Sequence, residues 1–220
     1  MSEATSQVGR YYDRNTRRFL ALGHGGSQLA IRRAVWGPGV TDRNEAFQYV
    51  NSLLLGELVS TGASEVLDLG CGVGGSIAYL QRHHPAHYVG ATISATQARM
   101  GVEFLKRAGA DGASIHQADF TAESFAAELR TQADVAFAIE SFLHIPQVHE
   151  KLNRIAKLVR PGGLLIVCDD MLSRGTGERP LDHRGRRWID EFRTGWYAHG
   201  LVSVERMREA ATAAGLDLTE

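Results

Sequence analysis

The sequence predicts an α/β fold, an open parallel sheet flanked by helices, on three observations. The stretch Glu65-Val-Leu-Asp-Leu-Gly-Cys-Gly-Val-Gly-Gly75 runs a short apolar strand into a glycine-rich turn and then into a helix. Further short, mostly apolar runs at Tyr88–Thr92, Ala113–Gln117, Asp134–Glu140 and Leu164–Cys168 alternate with segments of helical period, the pattern of strand–helix–strand units. A chain of 220 residues can close one such domain around a sizeable core without staples.

Composition narrows the function. A formal net charge of −1 gives no global field for gathering nucleic acid or an anionic membrane. The two cysteines, Cys71 and Cys168, have no metal-like spacing and read as reduced, small core residues of a cytoplasmic protein. No apolar run is long enough for a bilayer, and Met1 opens no cleavable leader.

In chain order, residues 1–7 are polar and should fray. Residues 1–60 form a helical cap in which Tyr11, Tyr12, Phe19 and Leu20 stand among Arg10, Arg14, Arg17 and Arg18, a mixture suited to a helix lying across a cavity or to a solvated arginine face. Gly23–Gly26 is a break, and residues 34–40 form an ordered loop anchored by Trp36, in the core or in a cavity wall. Phe47, Val50, Leu54 and Leu58 then recur at helical spacing within a helix over 42–60. The core over 61–172 opens with the Glu65 strand. There Gly70, Gly72, Gly74 and Gly75 remove side chains that would hold a ligand off the backbone near a helix N-terminus. The following helix, 76–82, stops before Pro85, and His83, His84 and His87 read as surface residues.

Ser94 caps a helix to Ala108, and the strand before it ends without the acid that takes ribose hydroxyls in many dinucleotide folds. Thr92 and Gln97 can supply those hydrogen bonds. Asp119 either caps its own turn or accepts from a ligand amino group. Glu140 ends the fourth strand at the crevice edge, where an ionisable group is a site candidate, with Phe142 and His144 just beyond it. Pro146 opens a helix with Val148, Leu152, Ile155 and Val159 inward, and Arg160–Gly163 turns into the fifth strand. Asp169 and Asp170 lack a third ligand, so no metal is assigned. Residues 173–202 form an insertion, a mobile connection with Pro180 followed by Trp188, Phe192, Trp196 and Tyr197. Residues 203–220 hold a last helix, capped by Ser203 and stopped at Gly215, and a strand stub.

The stretch around the glycine turn resembles the first motif of the class I S-adenosylmethionine-dependent methyltransferases, here Glu65, Asp68, Gly70, Gly72 and Gly74. The run Gly90-Ala-Thr-Ile-Ser-Ala-Thr-Gln97 and the Glu140 segment resemble the sterol, cyclopropane fatty acid and geranyl diphosphate C-methyltransferases. This resemblance implies a Rossmann-like methyltransferase sheet with S-adenosylmethionine as cofactor. It places Asp68, Gly70, Cys71, Gly72, Gly74, Thr92, Ile93, Gln97, Asp119, Phe120 and Glu140 around that cofactor. Glu140 and His144 become the expected catalytic residues. Tyr11, Tyr12, Trp36, Phe142, Trp188 and Trp196 become the expected walls for a small hydrophobic substrate. Such aromatic faces suit a carbocation, at about 0.5–2 kcal/mol each. Arg10, Arg14, Arg17, Arg18, Arg32 and Arg33 are candidate partners for a diphosphate.

The expected reaction is therefore C-methylation of an isoprenoid. N- or O-methylation with His144 or Glu140 as base, and a non-catalytic cofactor-binding partner, are the alternatives. A nicotinamide-dependent oxidoreductase is disfavoured by the strand end at Thr92 and by Asp119-Phe120. The resemblance also implies strand order 3-2-1-4-5-7-6, so the C-terminal strand pair is incomplete here. Either the sequence stops short of it or another chain, in a homo-oligomer, completes the sheet.

Overall fold

The computed structural model describes residues 3–22, 29, 31–173 and 182–219. Its elements are α1 (Glu3–Leu22), α2 (Arg43–Thr61), β1 (Glu65–Leu69), α3 (Gly75–His83), β2 (His87–Thr92), α4 (Ala95–Arg107), β3 (Ala113–Gln117) and α5 (Glu123–Glu128). Then follow β4 (Ala133–Ile139), a 3-10 turn (Phe142–His144), α6 (Val148–Ala156), β5 (Val159–Cys168), α7 (His183–Trp196) and α8 (Val204–Ala213). The five strands are parallel in the order β3-β2-β1-β4-β5. The chain winds outward from β1 through β2 to β3, then returns to β4 on the other side. The carboxyl ends of β1 and β4 therefore flank the point where strand order reverses, the place where open α/β sheets bind ligands.

Period-two alternation splits the core between the two faces of the sheet. Val66, Val135 and Phe137 pack with Leu54 and Leu58 of α2 and with Ile77 and Leu80 of α3. Leu67, Leu69, Ala136 and Ala138 face Leu152 and Ile155 of α6 and Ala211 of α8. The pairing Val66↔Val135, Leu67↔Ala136, Asp68↔Phe137 keeps the two sets apart, because a slip of one residue would exchange them. α2 forms where its apolar stripe predicts. Asp42 accepts from Asn44 N and Glu45 N, and the Glu45 side chain closes the capping box. No described helix is long and apolar enough to cross a membrane.

Several expectations change. α1 is already helical at Glu3, and Thr5 is buried where fraying was expected. α5 had no counterpart in the sequence reading. Val159 belongs to β5 rather than to the preceding helix. Pairing with β4 jumps from Ala133↔Val159 to Val135↔Leu164, so Arg160–Gly163 is accommodated as an irregularity within the strand. Trp36 is 63% exposed and so is not a core anchor for its loop. No strand follows α8 among the described residues. The Gly23–Gly26 break and Pro180 lie outside the described residues.

Candidate active site

The turn after β1 is built from left-handed backbone. Gly70, Gly72 and Gly74 have φ of +96°, +56° and +81°, a region that side chains resist. Gly70 N and Cys71 N both donate to Ala91 O at 2.9 Å, which ties the turn to β2. A Cβ at Gly70 would overlap the Ser141 side chain, whereas one at Gly72 would meet nothing within 4 Å. Gly72 therefore offers bare backbone to a cavity at the carboxyl end of the sheet. Asp68, Gly70, Cys71, Gly72, Thr92, Ile93, Gln97, Asp119, Phe120 and Glu140 all line that cavity. Gly74 does not. A Cβ there would press on Ile115, so its role is to let α3 begin against the core.

The polar groups of the cavity are unequally satisfied. Asp68 is 4% exposed and makes no hydrogen bond to a described residue, and burial raises its pKa to about 8 against the opposing pull of Arg32. Thr92 Oγ1 donates to Gln97 Oε1 at 2.7 Å, while Ser94 Oγ accepts from Gln97 N at 3.1 Å. The segment is thus both a helix cap and a cavity wall. Asp119 Oδ1 accepts from Thr121 N and Thr121 Oγ1 at 3.0 and 2.7 Å, so one oxygen holds its own turn. A nucleoside with an amino-acid end fits this donor and acceptor set: bare glycine backbone, a free carboxyl group at Asp68, and a polar strand end at Thr92 and Gln97.

Glu140 and His144, which follow β4, also line the cavity. Glu140 has φ +49°, unusual for a residue with a side chain, and its Oε1 accepts from Arg33 N at 3.1 Å and lies 3.5 Å from Arg33 Nε. Arg33 also reaches Asp170 Oδ2 at 2.5 Å. Beyond Glu140 the 3-10 turn presents His144, held from two sides. Its Nδ1 lies 3.3 Å from Tyr197 O and its Nε2 2.8 Å from Tyr12 Oη. A carbonyl only accepts, so Nδ1 carries the hydrogen and Nε2 is the acceptor. Burial lowers the His144 pKa to about 4 and raises that of Tyr12, with Glu140 and Asp169 adding to the latter. At neutral pH the pair is a neutral imidazole receiving a phenol hydrogen.

Asp169, raised to about 6 chiefly by burial, accepts from Leu143 N and Asp170 N and so clamps the turn that carries His144. The Tyr197–Gly200 turn grips it from the other side. Gly200 N donates to Leu143 O at 2.7 Å, and a Cβ at Gly200 would overlap the carbonyls of Phe142 and Ile145.

The aromatic enclosure expected from the sequence does not form. Trp188 and Trp196 are 58% and 48% exposed on α7 and, like Trp36, lie off the cavity. Phe142 is a core residue stacked on Phe120 at 6.2 Å, and Tyr11 packs on Tyr197 at 5.3 Å. Of the expected substrate walls only Tyr12 lines the cavity. Arg10, Arg14, Arg17, Arg18 and Arg33 are exposed and off the cavity, which leaves Arg32 as the arginine in its wall among the described residues. The sequence reading missed Asn51, Ser76 and Asp13. For Asn51 a signal exists, a polar residue at helical spacing inside the stripe Phe47, Leu54, Leu58, and it is 1% exposed.

Residues 6–220 match the family described as methyltransferase domain, and the chain belongs to that family. It is an S-adenosylmethionine-dependent methyltransferase. It is 30% identical over 217 residues to the methyltransferase GfsG of Streptomyces halstedii, covering 97% of this chain and 74% of that protein. It is 29% identical over 150 residues to sterol methyltransferase-like 1 of Botryococcus braunii, 68% of this chain and 36% of that protein. The chain thus spans about three quarters of one relative and about a third of the other. Its fold is also that of the mycolic acid cyclopropane synthase CmaA1, solved with S-adenosylhomocysteine, at a TM-score of 0.79, 20% identity, and 100% and 77% coverage of the two chains.

Proposed function

We propose that the protein methylates a hydroxyl group of a small, largely apolar molecule, with His144 as base and Tyr12 as its relay. The supporting observation is the neutral His144 imidazole, with Nδ1 bound to a main-chain carbonyl and Nε2 directed at the Tyr12 hydroxyl in the cavity wall. On this reading Gly70 and Gly72 pass the cofactor along their backbone, Asp68 faces its ammonium group, Thr92 and Gln97 its ribose, and Asp119 and Phe120 its adenine. The cofactor supplies a methyl group on a positively charged sulfonium, whose charge disappears in the event that gives His144 one. As the acceptor oxygen is methylated, its proton passes to Tyr12 Oη while the Tyr12 proton moves to Nε2. Glu140 and Asp169, whose charges act on Tyr12, favour the resulting imidazolium. Leu29, Ile31, Ile93, Ile139 and Ile145 give the cavity the apolar wall that excludes water.

A second reading, C-methylation of an isoprenoid such as a prenyl diphosphate, draws on the sterol methyltransferase-like relative and on Glu140 beside the cavity. There Glu140 would stabilise a carbocation or take its last proton. The test is mass spectrometry of products from hydroxylated, amino and prenyl acceptors, repeated with His144→Gln and Glu140→Gln. An O-methyl product lost about 100-fold in His144→Gln supports the first reading. A C-methyl product, with turnover dependent on Glu140 and indifferent to His144, overturns it in favour of the second.

A further inference from the structure

Among the described arginines, Arg32 is the one in the cavity wall. It lines the cavity, yet its neighbours are neutral: Nη1 donates to Asn51 Oδ1 at 3.1 Å and to Ser76 Oγ at 2.9 Å, and Nη2 donates to Phe47 O at 2.7 Å. No described carboxylate lies within ion-pair distance of it, and its Nε is a buried donor without an acceptor. Asp68 and Glu140 act on it only at longer range, and burial lowers its pKa. A buried cation held by neutral acceptors is costly unless something anionic joins it. Packing alone does not account for such an arrangement, since an apolar side chain would fill the space without a charge to satisfy.

We propose that Arg32 is the anion receptor of the cavity and takes the α-carboxylate at the amino-acid end of S-adenosylmethionine. This inference rests on the cofactor placement above. That carboxylate is the one anionic group of the cofactor. Three features converge where it would arrive. Ser76 Oγ, already a partner of Arg32, lies in the cavity lining, and Gly75 beside it starts α3, whose free N–H groups favour negative charge. Asp68 stands nearby with a carboxyl group free for the neighbouring ammonium. Arg32 thus offers a positive charge and Asp68 an unbonded carboxyl group, which the arriving ammonium would ionise, to the two ends of an α-amino acid. The assignment also revises the sequence-based role of Arg32 as a diphosphate partner. With three hydrogen bonds already committed to neutral groups, a single guanidinium matches one carboxylate better than a multiply charged diphosphate.

Isothermal titration with S-adenosylhomocysteine, and with the same thioether lacking only its carboxylate, tests the assignment. The wild type should bind the decarboxylated thioether about 30-fold more weakly, a comparison that needs no variant. Arg32→Gln should weaken S-adenosylhomocysteine by a similar factor and leave the decarboxylated compound within about 3-fold. Arg32→Lys should fall between, keeping the charge without the fork. Equal wild-type affinities overturn the proposal, as does an equal loss for both ligands in Arg32→Gln, which would make Arg32 a structural residue. Retained S-adenosylhomocysteine affinity in Arg32→Gln together with loss of inorganic pyrophosphate binding would assign the guanidinium to an acceptor instead. No S-adenosylhomocysteine binding by the wild type would remove the cofactor placement itself.

Discussion

Two residues of the cavity titrate in opposite senses, and this gives the empty protein a pH signature. The Asp68 carboxyl, raised to about 8, keeps a proton that the unfolded chain gives up near pH 4. The folded state therefore holds more protons between those values, and stability falls as pH rises through that window. His144, lowered to about 4 from an ordinary 6.5, does the reverse. The unfolded chain holds the extra proton there, so the His144 contribution rises from pH 4 to 6.5, offsetting that of Asp68, and is fully present above. Above pH 6.5 the Asp68 slope is left, with Arg32 and Cys71 as its charged or titratable surroundings. The melting temperature of the cofactor-free wild type should thus decline from pH 6.5 to 8.5, while Asp68→Asn stays nearly flat over the same range. Parallel declines in thermal scans of the two proteins would show that Asp68 is ionised already.

Among the elements, the strand starts depend on a carboxylate far from the cavity. Asp134 Oδ2 accepts from Ser64 N, Ser64 Oγ and Glu65 N at 2.8, 3.0 and 2.9 Å, and Oδ1 from Arg160 Nε at 2.6 Å. One side chain at the start of β4 thereby fixes the start of β1 and the bulged start of β5. The Arg160 guanidinium and these donors hold its pKa well below the usual carboxylate range, so its contribution is complete above about pH 4 and is lost as pH falls. Asp134→Ala should cost about 2–3 kcal/mol, a fall of roughly 5–10 °C in melting temperature at neutral pH, and the deficit should shrink toward pH 3. An unchanged melting temperature would make these bonds no better than their exchange with water. The strand itself was legible in the sequence because its apolar run is local. The carboxylate's task was not, since its partners lie 26 to 70 residues away. The same division holds in the site. Gly70, Gly72, Ser94 and Asp119 act within their own turns and could be read from spacing. Trp188 and Trp196 look the same in sequence whether they face a cavity or solvent, and only the packing of α7 decides. Arg32 stood out no more than its arginine neighbours, because its burial comes from Asn51, Phe47 and Ser76 on helices α2 and α3, outside its own loop.

For the molecule as a whole, the question is how a cap built before the sheet in sequence becomes part of the site after it in space. α1 presents Thr5, Val8, Tyr12 and Thr16 on one face, at the spacing of successive helical turns, and three of these line the cavity. Besides the Tyr12–His144 bond, the helix is attached through Asp13, whose Oδ1 accepts from Ser94 Oγ at 2.6 Å and Thr96 N at 2.8 Å, so that a carboxylate of α1 sits on the N-terminus of α4. Gly9 brings the two backbones close, since a Cβ there would lie 3.3 Å from Ile93 O. The sheet's own core, Val66, Phe137, Leu67 and Ala136 with α2, α3 and α6, contains no residue of α1. The cap should therefore loosen without the sheet following. In Asp13→Ala, amide exchange should quicken across Glu3–Leu22 while β1 and β4 keep their protection. S-adenosylhomocysteine affinity should fall by about 10-fold as Tyr12 leaves His144 and water enters the cavity. If the α1 amides stay protected, the apolar face of the helix holds it and Asp13 is only a surface cap. If β1 and β4 loosen equally, cap and sheet are one cooperative unit, and closing the cavity is inseparable from folding the domain.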